Sequence, residues 1–157
     1  MNKDVVFMCE MQADFFSLAN QKLPCSSPFF IARFMNSETT KELDNMDDYY
    51  NFISPQNLLV KMKCEYPSLK KEGKIKYPDD VMHWIGYVYR AWVTLKKRSS
   101  YKVYKIIDAE EMASLYNAFH TYSIDYCVER LEELALERKG PIKSDYQIFK
   151  EIMEQNN

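Results

Sequence analysis

The sequence predicts an all-α fold, a compact single-domain bundle of about six to eight helices around a long central helix at about residues 79–98. Only three glycines occur among the 157 residues, which leaves few sites for tight turns. Good helix formers, namely Met, Leu, Glu, Lys and Ala, recur at helical spacing. The hydrophobic share of 46% and charged share of 28% are ordinary for a globular domain. We therefore predict one helical domain over residues 1–157.

Capping residues place the helices of the first half. Asp4 is a plausible N-cap for a helix through about Gln21, with apolar residues on more than half of its circumference. Two serine-proline pairs each begin a further helix, because serine caps a helix and proline suits its first turn. These helices run from Ser27 to about Met35 and from Ser54 to about Cys64. The polar stretch between them, residues 36–48, is predicted to be a loop, with one short helical turn near residues 47–52.

The second half begins with an exposed basic linker, residues 67–77, "PSLKKEGKIKY", and continues with the central helix, whose first turn carries two aspartates. Ser99 or Ser100 caps a short helix through Ile107. The next helix, to about Phe119, begins with a capping-box pattern of Asp and Glu. Two more helices follow. The boundary residues are Asp108 and Glu111 for the box, Ser123 or Asp125 to Arg138 for the first further helix, closed by Gly140 and Pro141, and Ser144 for the last, with Tyr146, Phe149, Ile152 and Met153 on one side.

The cysteines and histidines indicate no metal, disulfide or cofactor site. Cysteines stand at 9, 25, 64 and 127, without a CxxC pair, and His83 and His120 have no cysteine close in sequence. We expect scattered thiols in the core or at the surface. No apolar run reaches the roughly 20 residues that span a bilayer, and residues 1–20 lack the pattern of a signal peptide. The expected location is the cytoplasm.

The central helix carries two stripes. The apolar residues Val81, Ile85, Val88, Trp92 and Leu95 follow a four-three spacing that predicts a buried seam. A second stripe, on another face, consists of His83, Tyr87, Arg90 and Thr94. It would suit a partner's carboxylate or another anion, because arginine offers a two-pronged donor and tyrosine and histidine add hydrogen bonds. The alternative is a half-buried face that ties the helix to its neighbours. Gly86 lies beside this stripe and favours a close helix crossing.

Basic residues are concentrated in the middle of the chain. Residues 61–105 carry 12 basic and 4 acidic side chains, a balance of +8, whereas the rest carries 9 basic and 19 acidic, a balance of −10. The basic corner after the central helix, with interleaved aromatics, would suit phosphate contacts. A helix, a short turn and a second helix there also permit a helix-turn-helix-like arrangement at about residues 90–107. A pI near 5.8 and ordinary dipole pairing of lysines favour a solvated or partner-facing patch instead. The basic corner consists of Lys96, Lys97, Arg98, Tyr101, Lys102 and Lys105.

Catalytic patterns are missing from the sequence. It has no phosphate loop, GxSxG, HExxH or glycine-rich dinucleotide turn. The pairs Asp79/Asp80 and Glu110/Glu111 are adjacent, so they point to different faces of a helix and are interpreted as capping residues. His120 lies near a helix end, where it can cap a carbonyl. The sequence thus favours a protein that is not an enzyme, although a small-molecule enzyme or sensor with a pocket beside Gly86 is an alternative.

Two segments carry a family resemblance. Residues 77–131 include "YPDDVMHWIGYVYRAW" and "SSYKVYKIIDAEEMASLYNAFHTYSIDYCVERL", and "FMCEMQADFF" lies near the N-terminus. Together they resemble a family of small, uncharacterised bacterial proteins, mostly of Firmicutes, that are often encoded beside toxin-like genes, including ADP-ribosyltransferase-like ones. The resemblance implies a component of a toxin-antitoxin module, such as the antitoxin. It carries no established functional residues.

Together these observations predict a non-enzymatic protein-interaction domain that binds and occludes a partner such as a toxin-like neighbour. The stripe or the basic corner would engage an acidic or phosphate-mimicking site on that partner. The alternative is a DNA-binding transcriptional regulator that uses the corner at about residues 90–107. No membrane partner is expected, and the two functions can coexist because antitoxins can bind their own operator.

Overall fold

The computed structural model describes residues 1–46, 53–139 and 145–155. Across these ranges the chain forms nine α-helices and one 3-10 helix, with no strand, so the predicted all-α class is confirmed. The extra helix relative to the prediction lies in the stretch that was expected to be a loop. The helices are α1 (Lys3–Lys22), α2 (Ser27–Met35), α3 (Glu38–Asp44), α4 (Pro55–Glu65), α5 (Asp79–Lys96), α6 (Ser100–Ile106), α7 (Ala109–Phe119), α8 (Ile124–Lys139) and α9 (Asp145–Gln155), with the 3-10 helix at Pro67–Lys70.

Helices α1 and α5 form the centre of the bundle and pack against each other more extensively than any other pair. They run antiparallel, since Gln12 contacts Gly86 whereas Asn20 contacts Asp79. Gly86 is the point of closest approach. A Cβ there would lie 2.9 Å from the backbone oxygen of Gln12 and 3.0 Å from the Cα of Ala13. The predicted close crossing at this glycine is confirmed.

The seam of α5 lies in the core as predicted. Ile85, Val88 and Trp92 are fully buried, and Val81 and Leu95 at its ends are partly buried against the core. Four phenylalanines of α1 and α2 form the neighbouring part of the core, with most ring pairs in edge-to-face contact at centroid distances of 5.2 to 6.2 Å. Such pairs contribute beyond the area they bury. These rings are Phe15, Phe16, Phe30 and Phe34.

Several predicted boundaries differ from the observed ones because a neighbouring residue caps the helix. The cap of α1 is Asn2, whose Oδ1 accepts from the amide of Val5 at 2.9 Å, so Asp4 lies inside the first turn. The cap of α2 is Ser26, one residue before the predicted Ser27. Helix α5 ends at Lys96, earlier than Arg98, because Lys97 adopts a left-handed conformation with φ 52° and closes the helix.

Helix α3 replaces most of the loop expected between α2 and α4. Its N-cap is Ser37, whose hydroxyl accepts from the amide of Thr40 at 2.9 Å. The carboxylate of Glu65, at the end of α4, accepts from the amides of Glu38 and Thr39 at 2.8 and 3.0 Å. A local serine and a distant glutamate together satisfy the first turn. The helical turn predicted near residues 47–52 lies outside the described residues.

The basic segment at residues 67–77 is mostly exposed but is fastened to the bundle. Leu69 is fully buried, and the amide of Gly73 donates to the carbonyl of Pro24 at 3.0 Å. The ammonium of Lys76 donates to the carbonyls of Asn20 and Leu23 at 2.9 and 2.6 Å, which occupies the C-terminal end of α1. The segment therefore packs along the α1–α2 connection.

The two C-terminal helices are α8, which begins at a serine cap, and α9, whose apolar residues are largely exposed. The cap of α8 is Ser123, which accepts from the amide of Tyr126, so this alternative is correct and Asp125 is not the cap. Helix α9 leaves Phe149, Ile152 and Met153 more than half exposed. The predicted boundary residues Gly140, Pro141 and Ser144 lie outside the described residues, as does the side chain of Tyr146. None of the described helices is both long and apolar enough to span a bilayer.

Candidate functional site

The predicted partner-binding stripe on α5 is divided in the structure, and Arg90 is its buried member. The residue is 2% exposed, and its Nη1 donates to Oδ1 of Asp44 at 2.7 Å. Its Nε donates to the side-chain oxygen of Gln12 at 2.8 Å. The guanidinium thus joins α1, α3 and α5 from inside the protein. A buried arginine that is paired in this way is not presented to a partner, so the structural alternative describes Arg90 better than the binding role.

Asp44 extends this network to α6. Its Oδ2 accepts from the amide of Ser100 at 2.8 Å, and its Oδ1 accepts from the hydroxyl of the same serine at 2.7 Å. Thr40 donates to Ser100 and accepts from Arg90. No buried side-chain polar atom in the described part of the chain lacks a hydrogen-bond partner. Every buried polar atom of the network is therefore hydrogen-bonded, and this offsets the free-energy cost of burying a charge pair.

The other members of the stripe lie at different places. His83 is exposed, and its Nε2 lies 3.2 Å from Oδ1 of Asp14 on α1. Tyr87 is half-buried. Burial is the main cause that raises the pKa of its hydroxyl, and the carboxylates of Glu10 and Asp125 add to it. Thus His83 and Tyr87, the accessible members of the stripe, lie near carboxylates, which do not favour the binding of an anion.

The fourth member, Thr94, lines a cleft of about 550 Å³ between the N-terminal end of α1 and the C-terminal ends of α3 and α5. The floor includes Arg90 and Val93, and the edge includes Lys97 and Arg98. Four of the predicted site residues therefore do meet, but the cleft also contains Asp4 and Asp44. With Lys41, the lining has four basic side chains against these two carboxylates, so a surplus of positive charge remains.

The basic corner is partly neutralised by α8. Lys96 forms an ion pair with Glu129. The carboxylate of Glu132 accepts from Nε of Arg98 at 2.9 Å and from the indole Nε1 of Trp92 at 2.9 Å. These donors outweigh the effect of burial and hold the pKa of Glu132 below its ordinary value. Lys96 and Arg98, which were predicted to contact phosphate, thus pair with carboxylates of the same chain.

The rest of the corner is a short helix held to the core. Ser99 caps α6 by accepting from the amide of Lys102, and Val103 is fully buried. Lys97 and Tyr101 are exposed, and the ammonium of Lys105 lies 5.1 Å from the centroid of the Tyr101 ring. Ser100, the first residue of α6, is buried and hydrogen-bonded to Asp44. The face that a recognition helix would offer to DNA is therefore limited to a few side chains of α6.

The sequence reasoning missed a surface of aromatic residues where α5, α7 and α8 meet. Tyr116 stacks on His120 with centroids 4.5 Å apart and meets Trp84 edge to face at 5.6 Å. One turn away, Phe119 lies 5.3 Å from Tyr122, which meets Tyr126 at 4.8 Å. We call this set the aromatic face. It consists of Trp84, Tyr116, Phe119, His120, Tyr122 and Tyr126.

Most of the aromatic face is accessible. Tyr122 is 38% exposed and Tyr126 is 51% exposed, whereas Phe119 is buried beneath them. His120 caps α7, as the sequence indicated, with Nδ1 2.7 Å from the carbonyl of Tyr116. The spacing of 116, 119 and 120 places three rings on one side of a helix. That spacing is visible in the sequence and could have indicated an aromatic surface, but His120 was considered only as a cap at a helix end.

Groups that serve metal or thiol chemistry are absent from this surface. In the described ranges, no set of three or more His, Cys, Asp and Glu side chains is arranged to hold a metal ion. Cys9, Cys25 and Cys127 are buried and Cys64 is exposed, all as free thiols. The described side chains of the aromatic face thus offer rings, hydroxyls and an imidazole.

Comparison with known proteins finds no matching family model, no matching curated protein and no matching solved structure. The resemblance of residues 77–131 to proteins encoded beside toxin-like genes therefore stays an expectation.

Proposed function

We propose that this chain is a non-enzymatic protein-interaction domain that binds and occludes a partner through the aromatic face. The observation that carries the proposal is two adjoining sets of ring contacts, Trp84–Tyr116–His120 and Phe119–Tyr122–Tyr126, with Tyr122 and Tyr126 exposed. Tyrosine and tryptophan are enriched at the energetic centres of protein interfaces, because they bury large area with few rotatable bonds. Exposed rings that already contact one another lose little freedom on binding.

A toxin-like protein encoded beside this chain is the partner that the family resemblance suggests. Under this proposal the chain acts as an antitoxin or an accessory component of a bacterial toxin-antitoxin module, and it works in the cytoplasm. Occlusion requires only a surface that fits the partner, and the helices beneath the aromatic face provide a rigid support for one. This accords with the lack of a recognised catalytic pattern in the sequence.

The test begins with the tagged full chain in its native host, followed by mass spectrometry of the proteins that co-purify. The partner is then purified and its affinity is measured by calorimetry. We expect Tyr122→Ala with Tyr126→Ala to weaken binding by about 2 kcal/mol or more. The matched control is Tyr101→Ala, which removes a similarly exposed ring from the basic corner.

Equal affinity of the double variant and the control would reject the aromatic face. An absence of any protein partner, together with salt-sensitive binding of duplex DNA, would reject the interaction function in favour of the regulator.

A further inference from the structure

The aromatic face is bordered by carboxylates from two helices. The hydroxyl of Tyr116 donates to Oδ2 of Asp80 at 3.1 Å. Asp125 is exposed at the start of α8, directly before Tyr126. These positions place acidic groups of α5 and α8 beside the aromatic face.

These carboxylates are not neutralised within the described part of the chain. Asp125 forms no ion pair there, and Asp80 accepts only from Tyr116 and from the amide of Val81. Two cations of the same helices are engaged elsewhere, since Lys96 of α5 pairs with Glu129 and Arg130 of α8 pairs with Glu133. The surface therefore carries negative charge that is available to a binding partner.

Rings and carboxylates together favour one class of side chain. The face of a tyrosine or tryptophan ring attracts a cation, and arginine also stacks on it through its planar guanidinium. A carboxylate beside the ring can accept the guanidinium's N–H groups at the same time. Acidic or phosphorylated partners would be repelled by the same carboxylates.

We propose that the aromatic face receives a basic segment of the partner protein, with arginine side chains that stack on the rings and pair with the carboxylates at their edge. This inference rests on the proposed function and specifies the partner's chemistry. It reverses the polarity expected from the sequence, which assigned an acidic or phosphate-mimicking site to the partner.

The first experiment uses the full chain, labelled with ¹⁵N, and two synthetic peptides: one alternates arginine and glycine, and the other alternates glutamate and glycine. We expect the arginine peptide to shift NMR signals of Trp84, Tyr122, Tyr126 and their neighbours, and the glutamate peptide to leave them unchanged. Shifts from the arginine peptide that centre on the cleft at Lys97, or no shifts at all, would overturn the inference.

Matched charge variants separate this site from general attraction to an acidic protein. Asp80→Asn with Asp125→Asn removes two carboxylates at the aromatic face. The control, Glu137→Gln with Glu110→Gln, removes two exposed carboxylates elsewhere, one of them also in the first turn of a helix. We expect the first pair to weaken binding of the arginine peptide by about tenfold and the control by less than about twofold. Equal weakening by both pairs would contradict a specific site.

The purified native partner distinguishes the two proposals. If its affinity falls in the tyrosine double variant and also in the carboxylate variant, both proposals are supported. If only the tyrosine variant loses affinity, the interaction function stands and the basic segment is wrong. If neither loses affinity, the aromatic face is not the interface and both proposals fail.

Discussion

Arg90 shows how a single position can be misread from its neighbours in sequence. Its spacing with His83 and Tyr87 placed it on a line of polar groups, which could either bind a partner or tie the helix to its neighbours. In the structure this line of polar residues winds around α5. His83 is therefore exposed, whereas Arg90 is buried beneath α3. A guanidinium in such a site is stable only with full pairing, which Asp44 and Gln12 provide.

Removing this arginine should therefore affect folding. We expect Arg90→Ala to lower the free energy of unfolding by about 3–5 kcal/mol, because Asp44 would be left as a buried carboxylate without its cation. Chemical denaturation followed by circular dichroism measures this change. Lys74→Ala, at an exposed position, is the control and should change the value by less than about 0.5 kcal/mol. A loss below about 1 kcal/mol for Arg90→Ala would indicate that the network is not stabilising and would return Arg90 to consideration as a ligand-binding residue.

Gly86 and Arg90 also show what sequence can and cannot predict for single residues. A glycine within an amphipathic helix can be interpreted from the sequence alone. It lowers helix propensity, and a closely packed neighbouring helix is what offsets that loss. The partners of Arg90 have no such local signature: Asp44 and Gln12 are 46 and 78 residues away in the chain. Chain spacing defines a helix face, but only the packed fold shows which part of that face is covered.

Among the elements, α3 depends most clearly on a distant residue. It has only seven residues, too few to be stable alone in water. Ser37 supplies one cap, and Glu65 supplies two acceptors for backbone amides and a third contact to the hydroxyl of Thr39 at 2.8 Å. These hydrogen bonds outweigh the effect of burial and hold the pKa of the Glu65 carboxyl below its ordinary value.

The stability supplied by Glu65 should depend on pH. Because its pKa is lowered in the folded state, the contribution is complete above the ordinary value near 4.5 and is lost as the pH falls through the folded-state value. We expect Glu65→Gln to cost about 1 kcal/mol at pH 7 and progressively less below pH 4.5, as the wild-type carboxylate becomes protonated. Urea denaturation at several pH values measures the difference. The same loss at pH 7 and pH 3 would mean that the charge of Glu65 is unimportant.

Element boundaries were predictable where a cap is local. Ser54, Ser99 and Asp108 each accept from an amide three residues later, as their sequence positions indicated. The prediction failed for α3 because its polar composition resembles a loop and its decisive acceptor comes from α4. The aromatic face was missed for a similar reason, since its rings come from three helices and only the α7 spacing is visible in the sequence.

At the scale of the whole molecule, ion pairs between helices partly compensate the charge asymmetry along the chain. Residues 61–105 carry a surplus of +8, but several of their cations pair with carboxylates from the acidic remainder. Arg90 reaches Asp44, Lys61 reaches Glu42, and Arg98 reaches Glu132. Part of the basic segment thus connects helices, and those cations are already paired within the chain.

The fold also separates the four cysteines by reactivity. Burial raises the pKa of the Cys9 and Cys127 thiols to about 12 and raises that of Cys25 as well, whereas Cys64 is exposed. Since the thiolate is the reactive form, the native protein should react rapidly with Ellman's reagent at one thiol, and the denatured protein at four. Cys64→Ser should abolish the rapid phase. Rapid reaction of a second thiol in the folded protein would contradict the packing of the core.

The pairing of α1 with α5 has a consequence for synthesis of the protein. Helix α1 leaves the ribosome with most of its circumference apolar, but its main partner begins only at Asp79. At translation rates of about 5–20 residues per second, the nascent chain exposes this surface for seconds before α5 has emerged. Chaperones have that interval in which to bind, and a chain that is truncated between Leu23 and Pro78 lacks the main partner of its first helix.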